Sequence, residues 1–292
     1  MKLEESTLKE LANLAEQAAK VAGHYIVESS RREFDVMHKA GGDSLASQVV
    51  TEVDEQAQSR ILEVLRPSFG TYDLALLAEE SEDDGSRLEK DYFWCIDPLD
   101  GTLPFTQGIA GYSVSIALVG ADGIPVIGVV YDPVEQRLYR VVKGMGIQIN
   151  GEYWTQSSIE VGHPRVLNAF FDCTFPADPE REAVSERMES LGRQLGYTQT
   201  NIRVGGGAVL NACQVFENPT AFYFKRPKPQ RGGGAFWDFA ATVCLFNEAG
   251  LHVSDFAGER LDLNRPDGIY MNEKGVCFST DRQLARDLIQ LL

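Results

Sequence analysis

Two short runs in this chain place acids directly behind apolar, β-prone residues. Tyr92-Phe93-Trp94-Cys95-Ile96 runs into Asp97-Pro98-Leu99-Asp100-Gly101-Thr102, and Leu74-Ala75-Leu76-Leu77-Ala78 runs into Glu79-Glu80-Ser81. A further acid, Asp238, follows Trp237 at the start of an apolar helical run. Carboxylate oxygens are the ligands hard cations take, and magnesium uses one or two of them beside its waters. Two such ions about 4 Å apart clamp an in-line displacement at phosphorus. Acids this close repel one another without cations, so their convergence would argue for metal. Gly101 and Thr102 supply the complement. With a helix starting after Asp100, their free N–H groups suit a phosphate oxygen. Glycine lets an oxyanion approach the backbone, and the Thr102 hydroxyl is placed to orient an attacking water. Each piece alone also has a plainer reading: an acidic surface run at Glu79-Glu80, a turn at Asp97–Gly101, a helix-opening acid at Asp238.

Elements must bring these acids together. The apolar spacing of Leu8, Leu11, Leu14, Ala15, Ala18, Val21, Ala22 and Tyr25 predicts a helix over 6–32. A second helix is expected over 48–66, with Val53, Ala57, Ile61 and Leu65 on one face and Pro67 ending it. Thr51 and Asp54 fall on one side of its first turn. Strands are expected at 112–120, 124–131 and 137–142, with turns at Asp122-Gly123 and Asp132-Pro133. The second half alternates: strand 166–171, helix 179–195, a strand at 198–203, helix 207–217, strand 220–224, helix 237–249 closed by Gly250, and a last helix over 281–291. Two subdomains follow, 1–160 and 161–292, the first bearing most of the acids and the second Asp238 and a substrate loop.

Composition narrows the function classes. Among 292 residues, 43% are hydrophobic and 24% charged, which suits a globular core. Lys+Arg 27 against Asp+Glu 43 gives −16, which disfavours nucleic acid as a partner. No apolar run has the length of a membrane span, and the amphipathic N-terminus is not a signal peptide, so a cytoplasmic setting is expected. The five cysteines lack a paired spacing and read as reduced, buried thiols.

The combined motifs resemble the inositol monophosphatase superfamily of magnesium-dependent, lithium-sensitive phosphatases. They are Ala78-Glu79-Glu80-Ser81, Trp94 through Thr102, and Trp237-Asp238-Phe239-Ala240-Ala241, with Thr51-x-x-Asp54, Gly144-x-Gly146 and Gly205-Gly206-Gly207-Ala208 in the expected order. The resemblance implies a layered α-β-α-β-α sandwich of the α+β class and a homodimer. It also implies a small-molecule phosphate ester as substrate. It assigns Glu79, Asp97 and the Leu99 carbonyl to one Mg²⁺, and Asp97, Asp100 and Asp238 to a second, with a third, weaker ion near Glu79. Glu79 and Thr102 would activate water, with Asp54 hydrogen-bonded behind Thr102.

For the substrate, Leu103, Phe105, Gly108 and Tyr112 resemble the 3'(2'),5'-bisphosphate nucleotidase branch, although Pro104 departs from it. The loop 225–234 carries Lys225, Arg226, Lys228 and Arg231 just before Asp238, and could bind a second phosphate. A solvated basic loop is the plainer reading. Gly206 and Gly207 are expected near the ligand; Gly207 stands where many similar proteins carry a hydroxyl residue. Inositol, sugar or histidinol phosphates are the alternative esters. A non-catalytic regulatory or binding protein on this fold is the alternative of another class.

Overall fold

The computed structural model describes residues 3–40, 43–155, 165–230 and 233–292, with the backbone alone described over 31–40 and 43–51. Helices α1 (Glu5–Ala40) and α2 (Asp43–Tyr72) precede strand β1 (Ala75–Ala78), strand β2 (Tyr92–Asp100) and the short helix α3 (Thr102–Thr106). Strands β3 (Ser113–Gly120), β4 (Pro125–Asp132), β5 (Arg137–Val142), β6 (Gly146–Ile149) and β7 (Glu152–Tyr153) follow. These seven strands form one sheet in sequence order, parallel between β1 and β2 and antiparallel elsewhere.

The rest of the chain contributes β8 (Val166–Phe171), α4 (Arg181–Gln194), β9 (Gln199–Val204), α5 (Ala208–Glu217), β10 (Ala221–Lys225), α6 (Phe236–Ala249), β11 (His252–Ser254), β12 (Val276–Ser279) and α7 (Arg282–Leu291). A five-stranded sheet has the order β11-β12-β10-β8-β9.

Strand parity sorts the core into layers. On β2, Trp94 and Ile96 turn toward α1 and α2, where they meet Leu11, Ala15, Ala57 and Ile61. Phe93 and Cys95 turn the other way, toward Val209, Phe216, Phe239 and Val243 of α5 and α6. On the second sheet Tyr223 and Phe278 meet that same middle layer, while Phe222, Phe224 and Cys277 pack against Met188 of α4 and Leu284 of α7. The result is the α-β-α-β-α sandwich of the α+β class.

Several boundaries differ from the sequence expectation. The first helix extends to Ala40, and α2 runs through Pro67 to Tyr72. Pro67 is exposed, so its ring meets no packed neighbour, and the last turn is held from inside. Ser68 Oγ donates to the Leu65 carbonyl (2.6 Å) and accepts from Trp94 Nε1 (2.9 Å). Tertiary packing here offsets the lost helix bond. Strands β11 and β12 escape sequence reading because three or four residues are too few for a period. Four cysteines are buried and free as expected, whereas Cys173 is half-buried and also free. The described helices include none long and apolar enough to cross a membrane.

Candidate metal centre

Parity also aims the acids. Asp97 falls on the same face of β2 as Phe93 and Cys95, the face toward α6. It stands opposite Ser115 of β3, whose hydroxyl donates to the Trp237 carbonyl (3.1 Å) and so ties the sheet to the first turn of α6. The β2–β3 register shifts between Asp97 and Asp100, so the two acids, three apart, both reach inward. Carboxylate oxygens of Asp97, Asp100 and Asp238 lie within 4.8 Å of one another. Glu79, just past β1, makes a hydrogen bond with Asp97. Two carboxyls make such a contact only by sharing a proton or, in its place, a cation.

Each acid is held by the backbone. Asp97 Oδ1 accepts from Leu99 N (3.0 Å) and Asp238 Oδ2 from Ala235 N (2.6 Å). Asp100 Oδ1 and Oδ2 accept from Ala208 N and Val209 N, each at 3.0 Å, capping α5. The turn beyond β1 is pinned by α2, because Gln58 Oε1 accepts from Glu80 N (3.0 Å) and its Nε2 donates to Ser81 Oγ (2.7 Å). Asp54 lies one turn before Gln58 and is buried.

The electrostatics are those of crowded acids. Burial, then the charges of Glu79, Asp238 and Asp100, push Asp97 well above the ordinary carboxylate range. Burial and Asp238 do the same to Asp100. Glu79 is reached by solvent, yet partial loss of hydration and the Asp238 charge raise it to about 7, against the Asp97 bond that lowers it. Burial, with the Glu79 and Glu80 charges, raises Asp54 to about 8. An all-oxygen donor set with this much mutual repulsion fits a hard divalent cation.

One counter-charge stands nearby. Lys225 Nζ lies 3.1 Å from Asp172 Oδ2. Burial lowers its pKa, but the charges of Asp172, Asp238 and Asp100 more than offset this and raise it overall. Asp172 also accepts from Tyr223 Oη (2.7 Å) and Asn211 Nδ2 (3.1 Å). Sequence reading missed Asp172, although it directly follows a strand, β8, just as the other acids follow theirs.

A cleft of about 1000 Å³ opens over Asp100, Gly101, Gly206 and Gly207 on one side and Lys225, Arg226 and Lys228 on another. Phe171, Phe175, Phe224 and Phe256 give it an aromatic wall. Gly101 (φ 88°) precedes α3, and a Cβ there would lie 2.5 Å from the Gly111 carbonyl. Thr102 Oγ1 donates to the Leu99 carbonyl (3.3 Å). An Asp54–Thr102 bond is not among the described contacts. Arg226 is in ion-pair contact with Glu180 and Asp178. Arg231 and the Thr51 side chain lie outside the described residues.

Five stacked layers with acids converging in the middle one define a layered α+β protein whose site suits hard cations. The chain belongs to the inositol monophosphatase family, which matches residues 7–291. It is 32% identical over 272 residues to the Nus factor SuhB of Pseudomonas aeruginosa, covering 93% of this chain and 94% of that protein. The Nus factor SuhB of Escherichia coli K12 is 32% identical over 253 residues, 85% and 86% of the two chains. Among solved structures, the inositol monophosphatase from Anabaena superposes with a TM-score of 0.69 at 24% identity, over 97% of this chain and 96% of that one. Inositol monophosphatase II from Staphylococcus aureus gives 0.70 at 20% identity, over 96% of each. At those identities the structures speak to the fold. The family supports a phosphatase of this superfamily.

Proposed function

We propose that the protein is a Mg²⁺-dependent phosphomonoesterase acting on a small ester with a second anionic group, of the 3'(2'),5'-bisphosphate nucleotide class. One observation carries this reading: Asp100 of the acid cluster, the cations Lys225, Arg226 and Lys228, and an aromatic wall line a single cleft. Glu79, Asp97, Asp100, Asp238 and the Leu99 carbonyl would hold two magnesium ions, and Glu79 would also serve a third, weaker one. Bound magnesium supplies Lewis acidity and offsets the repulsion between a phosphate dianion and its attacker.

The chain's own groups do the rest. Glu79 takes the proton of the attacking water, whose lone pair the Thr102 hydroxyl orients toward phosphorus. Asp54, raised to about 8 by burial and by the charges of Glu79 and Glu80, keeps its own proton at neutral pH and stands behind this pair as a positioning group. As the water oxygen bonds to phosphorus, the ester P–O bond breaks and the leaving oxygen takes a proton from solvent. The N–H groups of Gly101 and Thr102, at the open end of α3, face the phosphate oxygens. Gly206 and Gly207 line the ester's path, and Lys225, Arg226 and Arg231 meet the second anion. The setting is cytoplasmic, in keeping with free thiols, and the assembly a homodimer, which sedimentation tests.

Phosphate release from adenosine 3',5'-bisphosphate, inositol 1-phosphate, histidinol phosphate and sugar phosphates, with Mg²⁺ or with EDTA, tests this reading. Mg²⁺-dependent release with a preference for the bisphosphate supports it. A clear preference for inositol 1-phosphate moves the substrate to the alternative ester class. The Nus factor name of the relatives favours a second reading, a regulatory protein without catalysis. No release from any ester on the panel would support that one instead.

A further inference from the structure

The three cations described in the cleft are not equivalent. Lys225 is locked to Asp172, which Tyr223 and Asn211 hold in place. Lys228 forms no ion pair among the described residues. Arg226 lies between these cases. Its Nη1 bonds Glu180 Oε2, and its Nη2 stands 3.6 Å from Asp178 Oδ2. All three residues line the cleft. Asp178 is fixed in turn, because its Oδ1 accepts from Glu180 N (2.8 Å). Two carboxylates of the 178–180 segment thus present to the guanidinium the charge and oxygens that a phosphate dianion would present.

We propose that Asp178 and Glu180 are internal stand-ins for the substrate's second anion: they occupy Arg226 in the free protein and must be displaced by it. They are specificity-determining positioning residues, and this assignment rests on the bisphosphate reading above. The strength of the pair suits that role. Arg226 is 30% exposed, Asp178 33% and Glu180 62%. Ion pairs at such exposure are weak, so a phosphate able to engage the planar guanidinium through two oxygens outcompetes them. An ester without a second phosphate leaves Arg226 on its acids and gains nothing from it. The acids therefore keep the Arg226 guanidinium neutralised toward esters with one phosphate while lowering the gain for those that carry a second.

A double-mutant cycle tests this with the Mg²⁺-loaded full chain and two substrates that differ only in the second phosphate, adenosine 3',5'-bisphosphate and adenosine 3'-monophosphate. Asp178→Asn with Glu180→Gln keeps both side-chain shapes and the Asp178 acceptor. The ratio of kcat/KM for bisphosphate over monophosphate should rise about fivefold, through KM rather than kcat. In an Arg226→Met background the same two substitutions should leave the ratio where it was. An equal rise in that background would show a general field effect and overturn the proposal. No rise, in a wild type that already prefers the bisphosphate, would overturn it and leave the substrate reading standing. If neither the wild type nor the double variant distinguishes the two nucleotides, the bisphosphate reading fails and this one with it. Thermal unfolding of each variant checks that all are folded.

Discussion

Asp100 fills the space that a side chain at position 207 would need. A Cβ on Gly207 would lie 2.3 Å from Asp100 Oδ2, while both Asp100 oxygens accept N–H groups of the next two residues, Ala208 and Val209. Gly207 has φ −67° and ψ −178°, a conformation open to any residue, so it is the carboxylate that demands glycine. A hydroxyl residue of the kind many similar proteins carry there would meet a steric objection in this chain. Gly207→Ala should stay folded and weaken Mg²⁺ binding at least tenfold by calorimetry, a factor of about 1.4 kcal/mol. Unchanged Mg²⁺ affinity would remove Asp100 from the metal set.

Asp238→Asn should lower turnover by roughly 10²–10³-fold, the usual loss for one group stabilising transition-state charge. The same variant should unfold at a higher temperature than the wild type in EDTA, since it relieves repulsion in the cluster while an amide oxygen still accepts from Ala235 N. Asp100→Asn should match it in lost turnover but be less stable in EDTA, because one of its two cap acceptors becomes a donor facing Val209 N. Scanning calorimetry with and without Mg²⁺ separates the two.

The raised carboxyls predict an unusual pH profile. Asp54 rises to about 8 and Glu79 to about 7, both above their unfolded values near 4. Between pH 4 and 8 the folded protein therefore binds more protons than the unfolded one, and stability falls as pH rises. In EDTA the melting temperature should drop steadily from pH 5 to pH 8.5. Saturating Mg²⁺, which displaces those protons, should flatten or invert the slope above pH 7. A flat profile in EDTA would mean that the carboxyls are ionised without penalty.

Lys225 should show effects of opposite sign. Its ammonium partly neutralises Asp172, Asp238 and Asp100. Lys225→Met should tighten Mg²⁺ binding severalfold by removing a like charge, destabilise the metal-free protein, and raise KM for the phosphate ester. Titration calorimetry and steady-state kinetics on one preparation check all three. A loss of Mg²⁺ affinity would show that Lys225 orders the ligands rather than competing with them.

Asp97 and Asp100 were legible in the sequence because the strand that aims them, β2, is a long apolar run, and parity does the rest: Asp97 must share a face with Phe93 and Cys95. The five layers follow the same logic: α1 and α2 carry one apolar face each, whereas α5 and α6, between the sheets, are apolar nearly all round. What was not legible depends on partners distant in the chain. Nothing near Arg226 announces that Glu180 and Asp178 will reach it. Nothing near Gly207 announces Asp100. Pro67 reads as a stop because the sequence does not display Trp94 waiting to accept the next turn through Ser68. Asp172 was within reach, as another acid placed directly behind a strand.

Helix α6 lies between the two sheets and carries Asp238, almost half the chain beyond Asp97. During synthesis the first sheet and its covering helices can therefore collapse while their buried acids still lack the last member of the set. The inward face of that sheet, with Phe93, Cys95 and Val119, stays uncovered until α5 and α6 emerge. Chaperone demand should accordingly peak in that interval, and a nascent chain halted before Phe236 should be aggregation-prone however much magnesium the cell supplies.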